Sequence, residues 1–416
     1  MQPKRSITIA ALIGTITEYY DYSLYGFSSL AIAKAFFPGD NLIDKTTMAL
    51  AVFAIGYLSK PLGSIVFGYL GDRYGRKVSL RITMLGICLP TMAIALVPGY
   101  EILGASAPIL VIACRFLQGI FAGGEYDGAA IYMLEHSGKV QSGHASAVIR
   151  AAAASGLLLG AICISVFDMI SPDLWRVPFL LSIPLMIATF ILRNRLEETP
   201  EYLAYLKKRE SRQETTDEAG FVALFRNSWK KILFAVILFG SFSACMQFSL
   251  VFMKTYMEFL ALYSKHHIHI LHIAVLALTT VSMILTSIYV ERIGARRLIS
   301  SCFATAVAII AGLVAAIYFE VNSLIAVFHL AFAFVVAPTN ALMHGYIYEI
   351  FAVHERYKGM SLSHTFGSML LSGTSPVIAF SLYRITKINV IPFIYPFLMV
   401  VLAWGVSLRL NKIMAR

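Results

Sequence analysis

Twelve stretches of this 416-residue chain are apolar over lengths that can cross a lipid bilayer: 7–37, 46–69, 78–98, 107–133, 143–170, 174–192, 229–257, 266–290, 298–319, 323–350, 358–382 and 389–410. A helix needs about 20 apolar residues to cover the roughly 30 Å of hydrocarbon. Backbone N–H and C=O groups in lipid must satisfy one another, which a helix does within its own segment. The fold class expected is therefore an all-α membrane protein with twelve transmembrane helices. Composition agrees: 58% of the residues are hydrophobic and 14% charged, where a soluble domain carries about 25% charged residues.

The runs divide six and six around a polar stretch, 193–228, that holds seven basic and seven acidic residues and reads as a solvated linker with some helix. The division expected is a six-helix half at 1–192, a linker at 193–228 and a second six-helix half at 229–416. A short loop supports it. Gly71-Asp72-Arg73-Tyr74-Gly75-Arg76-Lys77 lies between the second and third runs, and Glu291-Arg292-Ile293-Gly294-Ala295-Arg296-Arg297 between the eighth and ninth. Aligning Asp72 with Glu291, Arg73 with Arg292 and Gly75 with Gly294 gives a single offset of 219 residues, just over half the chain. Internal repetition among membrane spans points to two pseudo-symmetric bundles and to a transporter.

The formal charge of +11 follows from topology. With a cytoplasmic N-terminus, Lys45, Arg176, Lys254, Lys265, Arg384 and Lys387 fall on the far side and Lys34, Lys60, Arg115 and Arg150 inside spans, leaving 24 of the 34 Lys and Arg on the cytoplasmic side. That is the positive-inside bias; both termini are expected in the cytoplasm, and no nucleic-acid partner is called for. The first run carries Glu18 and Asp21 and is too long for a cleavable signal, so it reads as a span. The five cysteines lie in apolar runs without motif spacing and read as packing residues.

Charge inside a span is costly and faces a cavity or a partner. Glu18, Asp21, Tyr22 and Tyr25 follow i, i+3, i+4, i+7 and share one face of the first helix, a wet stripe. Arg115, Gln118, Ala122 and Glu125 share a face of the fourth, with Asp127 beyond, and Arg150 lies about two turns into the fifth. Gly119/Gly123 and Gly124/Gly128 are small residues four apart that let a neighbouring helix approach. At 1.5 Å per residue Glu18 lies roughly 16 Å from its helix end, near the midplane. Asp21 and Arg115 come out nearer the outer side, Glu125 and Arg150 nearer the inner. An Asp21–Arg115 and a Glu125–Arg150 pairing are expected, direct or through substrate or water. Four carboxylates against two arginines imply that at least one is protonated in some conformation, which proton coupling requires.

The loop at 71–77 reads as a gate latch: Gly71 and Gly75 permit tight turns, and Asp72, Arg73, Arg76 and Lys77 can reach helix ends and carboxylates. Glu291 and Arg292 would form a weaker second latch. In the second half the ionisable residues in or near spans are His329, His344, Glu349 and His364; a histidine suits proton traffic, but a lone one is more often a packed, hydrogen-bonded residue, and the tract His266–His272 reads as an interfacial helix start in preference to a metal site. No nucleophile elbow, metal motif or phosphate loop is evident. No enzyme activity and no cofactor is expected, the proton serving as coupling ion.

These residues resemble the major facilitator superfamily, in the loop Gly71–Lys77 and in Arg115-x-x-Gln118-Gly119. Within it the chain resembles the metabolite:proton symporters, which include carriers of proline and betaine, shikimate, citrate and 2-oxoglutarate. That likeness rests on Glu18-Tyr19-Tyr20-Asp21, Phe36-Phe37-Pro38, Ala122–Tyr126, Trp175–Phe179, Leu196–Glu201 and Arg356–Gly359. The resemblance implies the major facilitator fold, alternating access, and proton-coupled uptake of a small organic solute, a carboxylate or zwitterion, across a bacterial cytoplasmic membrane. It implies that Glu18, Asp21, Arg115 and Glu125 serve the substrate and proton pathway. Asp127 and Tyr19 depart from the family pattern. The chain stops at Arg416, so the coiled-coil extension of osmosensory members is not expected, and Ser155–Gly160 lacks the Gly-Pro of drug antiporters. Most of the buried charge lies in the first half, which is expected to carry most of the proton and substrate chemistry while the second half supplies packing and rocking.

Overall fold

The computed structural model describes residues 5–74, 76–137, 142–194, 220–348, 350–351 and 356–414; the side chains of 5–11, 68–69, 71–77, 80, 125–129, 131–142, 193–194, 220–227, 348, 352–358 and 410–414 lie outside the description. Among the described residues the chain is helical almost throughout, in twelve runs. They are α1 (Arg5–Phe27, then Ser29–Phe36), α2 (Leu42–Leu58, then Lys60–Tyr74), α3 (Arg76–Leu96), α4 (Ser106–Ser137), α5 (Ser142–Ile170) and α6 (Val177–Asn194). After 195–219 come α7 (Gly220–Gln247, Phe248–Phe252, Met253–Phe259), α8 (Lys265–Ile293), α9 (Ala295–Tyr318), α10 (Asn322–Tyr348), α11 (Arg356–Gly367, Ser368–Ser372, Ser375–Thr386) and α12 (Ile394–Met414). Ten described segments are long and apolar enough to cross a membrane, with Arg81–Leu96 a shorter apolar helix. Bulky side chains such as Leu89, Ile109 and Val327 point outward more than half exposed, as lipid contact allows.

Each half closes on itself through small residues. A Cβ on Gly119 of α4 would stand 2.0 Å from the Gly56 carbonyl oxygen of α2, and one on Gly123 would stand 2.2 Å from that of Lys60. These two glycines therefore set how deeply α4 beds into α2, the close approach their spacing predicts. Breaks fall where the backbone demands them. α2 bends at Ser59, just before Pro61, which has no N–H to continue the ladder. Gly294, at φ 86°, turns α8 into α9 in a conformation that a side chain resists.

α7 and α11 each contain one wide π turn. The N–H of Met253 reaches Phe248 and that of Gly373 reaches Ser368, five residues back. Such turns are rare and are found often at functional sites.

The halves meet along α5–α8, α5–α10 and α2–α11. We call the end where α1 begins the N-terminal face. At the opposite face the ties are charged. Asp168 of α5 binds Lys265 Nζ and His269 Nε2 of α8, each at 2.8 Å, and Asp44 of α2 binds Arg384 of α11 at 2.7 Å. Lys254 Nζ donates to the Phe27 carbonyl at 2.6 Å, and Ser29 pairs with Thr255 at 2.9 Å. Toward the N-terminal face the described ties are neutral: Ser64–Thr365, Ser146 to the Ala341 carbonyl, and His144 to the Ser287 carbonyl. α8 does start at the histidine tract, capped by Ser264. Its carboxylate partner, Asp168, comes from the other half, 97 to 101 residues away.

Candidate functional site

Between the halves lies a cavity with about 890 Å³ of unfilled space, part of it open to solvent. The first half lines it with Glu18, Tyr19 and Tyr22 of α1, Tyr57 and Lys60 of α2, Gly123 of α4 and Arg150 of α5. The second half adds Gln247 and Leu250 of α7, Asn340 of α10, and His364, Thr365, Ser368 and Ser372 of α11. The π turns of α7 and α11 are therefore part of the wall. The second half supplies amide, hydroxyl and imidazole groups to the same chamber, beside the packing expected of it.

The stripe on α1 divides. Glu18 and Tyr22 reach the cavity, whereas Asp21 and Tyr25 are buried behind its wall. Arg115 and Gln118 also stand behind it. Arg115 is 1% exposed, 4.5 Å from the Tyr25 ring centroid, 5.4 Å from Phe53 and 5.6 Å from Tyr22. It donates to Gln118 Oε1 at 3.0 Å and to the Phe53 carbonyl at 3.4 Å. Gly56 makes room, since a Cβ there would lie 2.9 Å from its Nη2.

The predicted Asp21–Arg115 contact takes a different form, a relay through two neutral side chains. Asp21 Oδ2 accepts from the Thr91 hydroxyl at 3.0 Å, Thr91 accepts from Gln118 Nε2 at 2.6 Å, and Gln118 accepts from Arg115. Thr91 on α3 is the member that charge-seeking passes over: a threonine within a span carries no charge to signal it.

Arg150 is 6% exposed. Its Nη1 donates to the Tyr19 hydroxyl at 3.2 Å and its Nη2 faces His364 Nε2 at 3.5 Å across the two halves. The side chains of Glu125 and Asp127, and so the expected Glu125–Arg150 pairing, lie outside the described residues. Lys60 Nζ sits 4.5 Å from the Tyr22 ring centroid and 4.4 Å from that of Tyr57, a cation over two aromatic faces. Gln247 Nε2 donates to the Tyr57 hydroxyl, again from one half to the other. Lys60 thus joins Arg150 as a cation of the chamber, where the sequence had offered Arg115.

Of the expected gate, Gly71, Asp72 and Arg73 close α2 and Arg76 and Lys77 open α3, on the N-terminal face. Their side chains and Gly75 lie outside the described residues. Glu291 and Arg292 end α8, exposed, on the same face; Glu291 Oε1 would lie 3.7 Å from a Cβ on Gly143 of α5.

The family model described as Major Facilitator Superfamily matches residues 11–376. The glycine betaine/proline/ectoine/pipecolic acid transporter OusA of Dickeya dadantii (strain 3937) is 30% identical over 396 residues, covering 90% of this chain and 77% of that protein. The proline/betaine transporter of Escherichia coli (strain K12) is 30% identical over 414 residues, covering 97% and 82%. Among solved structures, a D-xylose-proton symporter superposes with a TM-score of 0.75 at 17% identity, covering 97% of this chain and 96% of the other. A partially occluded, inward-open form of the xylose transporter XylE from E. coli gives 0.73 at 18%, covering 98% and 97%.

Proposed function

Because the chain belongs to the major facilitator superfamily, we propose that it carries a small organic solute bearing a carboxylate, such as a zwitterion of the proline or betaine kind, together with protons. The chamber between the halves supports this reading best. A guanidinium offers a carboxylate a two-pronged donor fork, and Arg150 lines the cavity together with the ammonium of Lys60. Tyr19, Tyr22 and Tyr57 offer faces to a cationic or apolar remainder of the solute. Glu18, in the same wall, is placed to exchange a proton with cavity water. Asp21 and Arg115 then act behind the wall, through Thr91 and Gln118, on the register of α1, α3 and α4. Their role is positioning.

In this proposal residues 1–192 and 229–416 are the rocking halves and 193–228 the linker. The N-terminal face is cytoplasmic, the membrane is a bacterial cytoplasmic membrane, and transport runs inward. Asp72, Arg73, Arg76, Lys77, Glu291 and Arg292 are the latch of the cytoplasmic face. The chain needs the bilayer, the solute and protons, and no catalytic cofactor.

The test is uptake of radiolabelled proline and glycine betaine by proteoliposomes under an imposed pH gradient. Accumulation that follows the gradient and collapses with a protonophore is expected. Accumulation indifferent to the gradient for every transported solute would refute symport, and gradient-driven efflux would identify an exporter.

A further inference from the structure

We propose that His364 binds a proton of the transport cycle, and that its neutral form ties the two halves together by accepting a hydrogen bond from Arg150. The inference rests on the transporter reading and adds a second-half proton site to it. His364 of α11 lines the chamber and is 9% exposed. Its Nε2 lies 3.5 Å from Arg150 Nη2 of α5. A guanidinium has only donors, so the contact requires a lone pair on Nε2 and the imidazole proton on Nδ1. The same contact joins the first half to the second.

Protonation undoes it. A proton from cavity water adds to Nε2, the lone pair becomes an N–H bond, and no other covalent bond changes. Imidazolium then faces guanidinium inside a chamber of reduced dielectric, where like charges repel strongly. Arg150 keeps the Tyr19 hydroxyl on its other prong, so the tie between α5 and α11 is what opens. Release of the proton restores the lone pair and the tie.

The surrounding groups fit a site that holds a proton for part of the cycle. α1 contributes Glu18 and Tyr19, α2 Lys60 and Tyr57, and α5 Arg150; the facing side chains of α7 are neutral Gln247 and Phe239. α10 brings His344, its ring centroid 5.1 Å from that of His364, and Phe239 packs 5.0 Å from both rings. On α4, Glu125 and Asp127 have side chains outside the described residues. At the repeat offset of 219 residues His344 occupies the position of Glu125.

The test uses His364→Gln, whose amide oxygen accepts from Arg150 but does not titrate, with His364→Asn as the alternative should the first misfold. Without any ligand, nitroxide labels at positions 82 and 301, exposed on α3 and α9 toward the N-terminal face, report the separation of the halves as the pH is taken from about 8 to about 5. The parent is expected to shift its distance distribution across that range and the variant to stay flat. A variant that titrates like the parent, or a parent that does not titrate, overturns the proposal. In proteoliposomes the variant should lose gradient-driven accumulation of proline or glycine betaine; accumulation equal to the parent's also overturns the proposal. A parent that takes up neither solute under a gradient would sink the transport reading instead, and the ligand-free titration would still judge His364.

Discussion

The charged ties at the opposite face should determine how often that face opens, and Asp168→Asn measures the largest of them. Asp168 holds two partners at 2.8 Å: Lys265, half exposed, and His269, 1% exposed and braced at Nδ1 by Ser165 Oγ at 3.0 Å. An exposed ion pair contributes about 0.2–1 kcal/mol. A buried hydrogen bond to a charged group is worth about 1.5–3 kcal/mol, of which an asparagine oxygen retains the neutral share, about 0.5–1.5 kcal/mol. The net loss is about 1.5–2 kcal/mol. Since 1.4 kcal/mol is tenfold in a population ratio, the open fraction should rise about ten- to thirtyfold. A cysteine at position 255 reads this out, because Thr255 is buried between the halves beside Ser29. In a background without the five native cysteines, a membrane-impermeant maleimide added from that side should label it about tenfold faster, or more, once Asp168 is changed. Asp44→Asn is the internal comparison. Its pair with Arg384 is well exposed on both sides, so the gain should stay below about fivefold. An unchanged rate with Asp168→Asn, or a larger effect from Asp44→Asn, would refute the assignment of the gate to this cluster.

Three further outcomes follow from the packing and the polar contacts. Gly119→Ala should lower the unfolding temperature of purified protein, because overpacking at a 2.0 Å approach costs about 1–3 kcal/mol. Gly405→Ala, with nothing within 4 Å, should hold or raise it through helix propensity worth up to about 1 kcal/mol. Thr91→Val and Gln118→Leu each cut the relay between Asp21 and Arg115 at a cost of about 1–3 kcal/mol. Their double variant should lose less stability than the sum, and strict additivity in chemical denaturation would show that the relay is not one unit. Lys60→Met should weaken carboxylate binding about tenfold or more in a calorimetric titration, as loss of a charge-assisted contact implies. Lys60→Arg should keep most of it, and equal affinities in all three proteins would remove Lys60 from the solute site.

The helices were legible because length and hydropathy alone decide what can cross lipid, and the glycine pair on α4 because only small residues tolerate the 2.0–2.2 Å approaches found there. Glu18 and Arg150 were legible as charge inside spans. What escaped was neutral or non-local. Thr91 is an ordinary span residue until α3 is laid beside α1 and α4. Gln247, Asn340, Ser368 and Ser372 carry no charge to mark them. Asp168 is a terminal acid whose meaning comes from His269 across the halves. The two π turns arise from packing and leave no trace in periodicity. Arg115 was legible as charge inside a span, but a buried guanidinium looks the same in sequence whether it faces a cavity or, as here, three aromatic rings.

The repeat offers a physical reason for the unequal halves. Carried forward by 219 residues, Glu18, Asp21, Arg115 and Arg150 fall on Ile237, Gly240, Phe334 and Met369. At each of those points the second half has an apolar residue or glycine where the first half has a charge. One consequence is visible at Gly240, where α7 meets Gly367 of α11 so closely that a Cβ would lie 2.7 Å from that residue's carbonyl. At the corresponding place in the first half a carboxylate is held by Thr91. A second half built of close apolar contacts presents few fixed charges of its own, so its polarity is concentrated in groups that can change hands: the Ser249 carbonyl and hydroxyl bound by His329, Gln247 on Tyr57, and His364 on Arg150. Two of these reach into the first half. A rocking bundle needs contacts that form and break at little cost, and single hydrogen bonds between helices in a membrane, about 0.6 kcal/mol on average, meet that need better than buried ion pairs would. Among the described residues the ion pairs between the halves stand at the opposite face, where water can solvate the charges whenever the halves part.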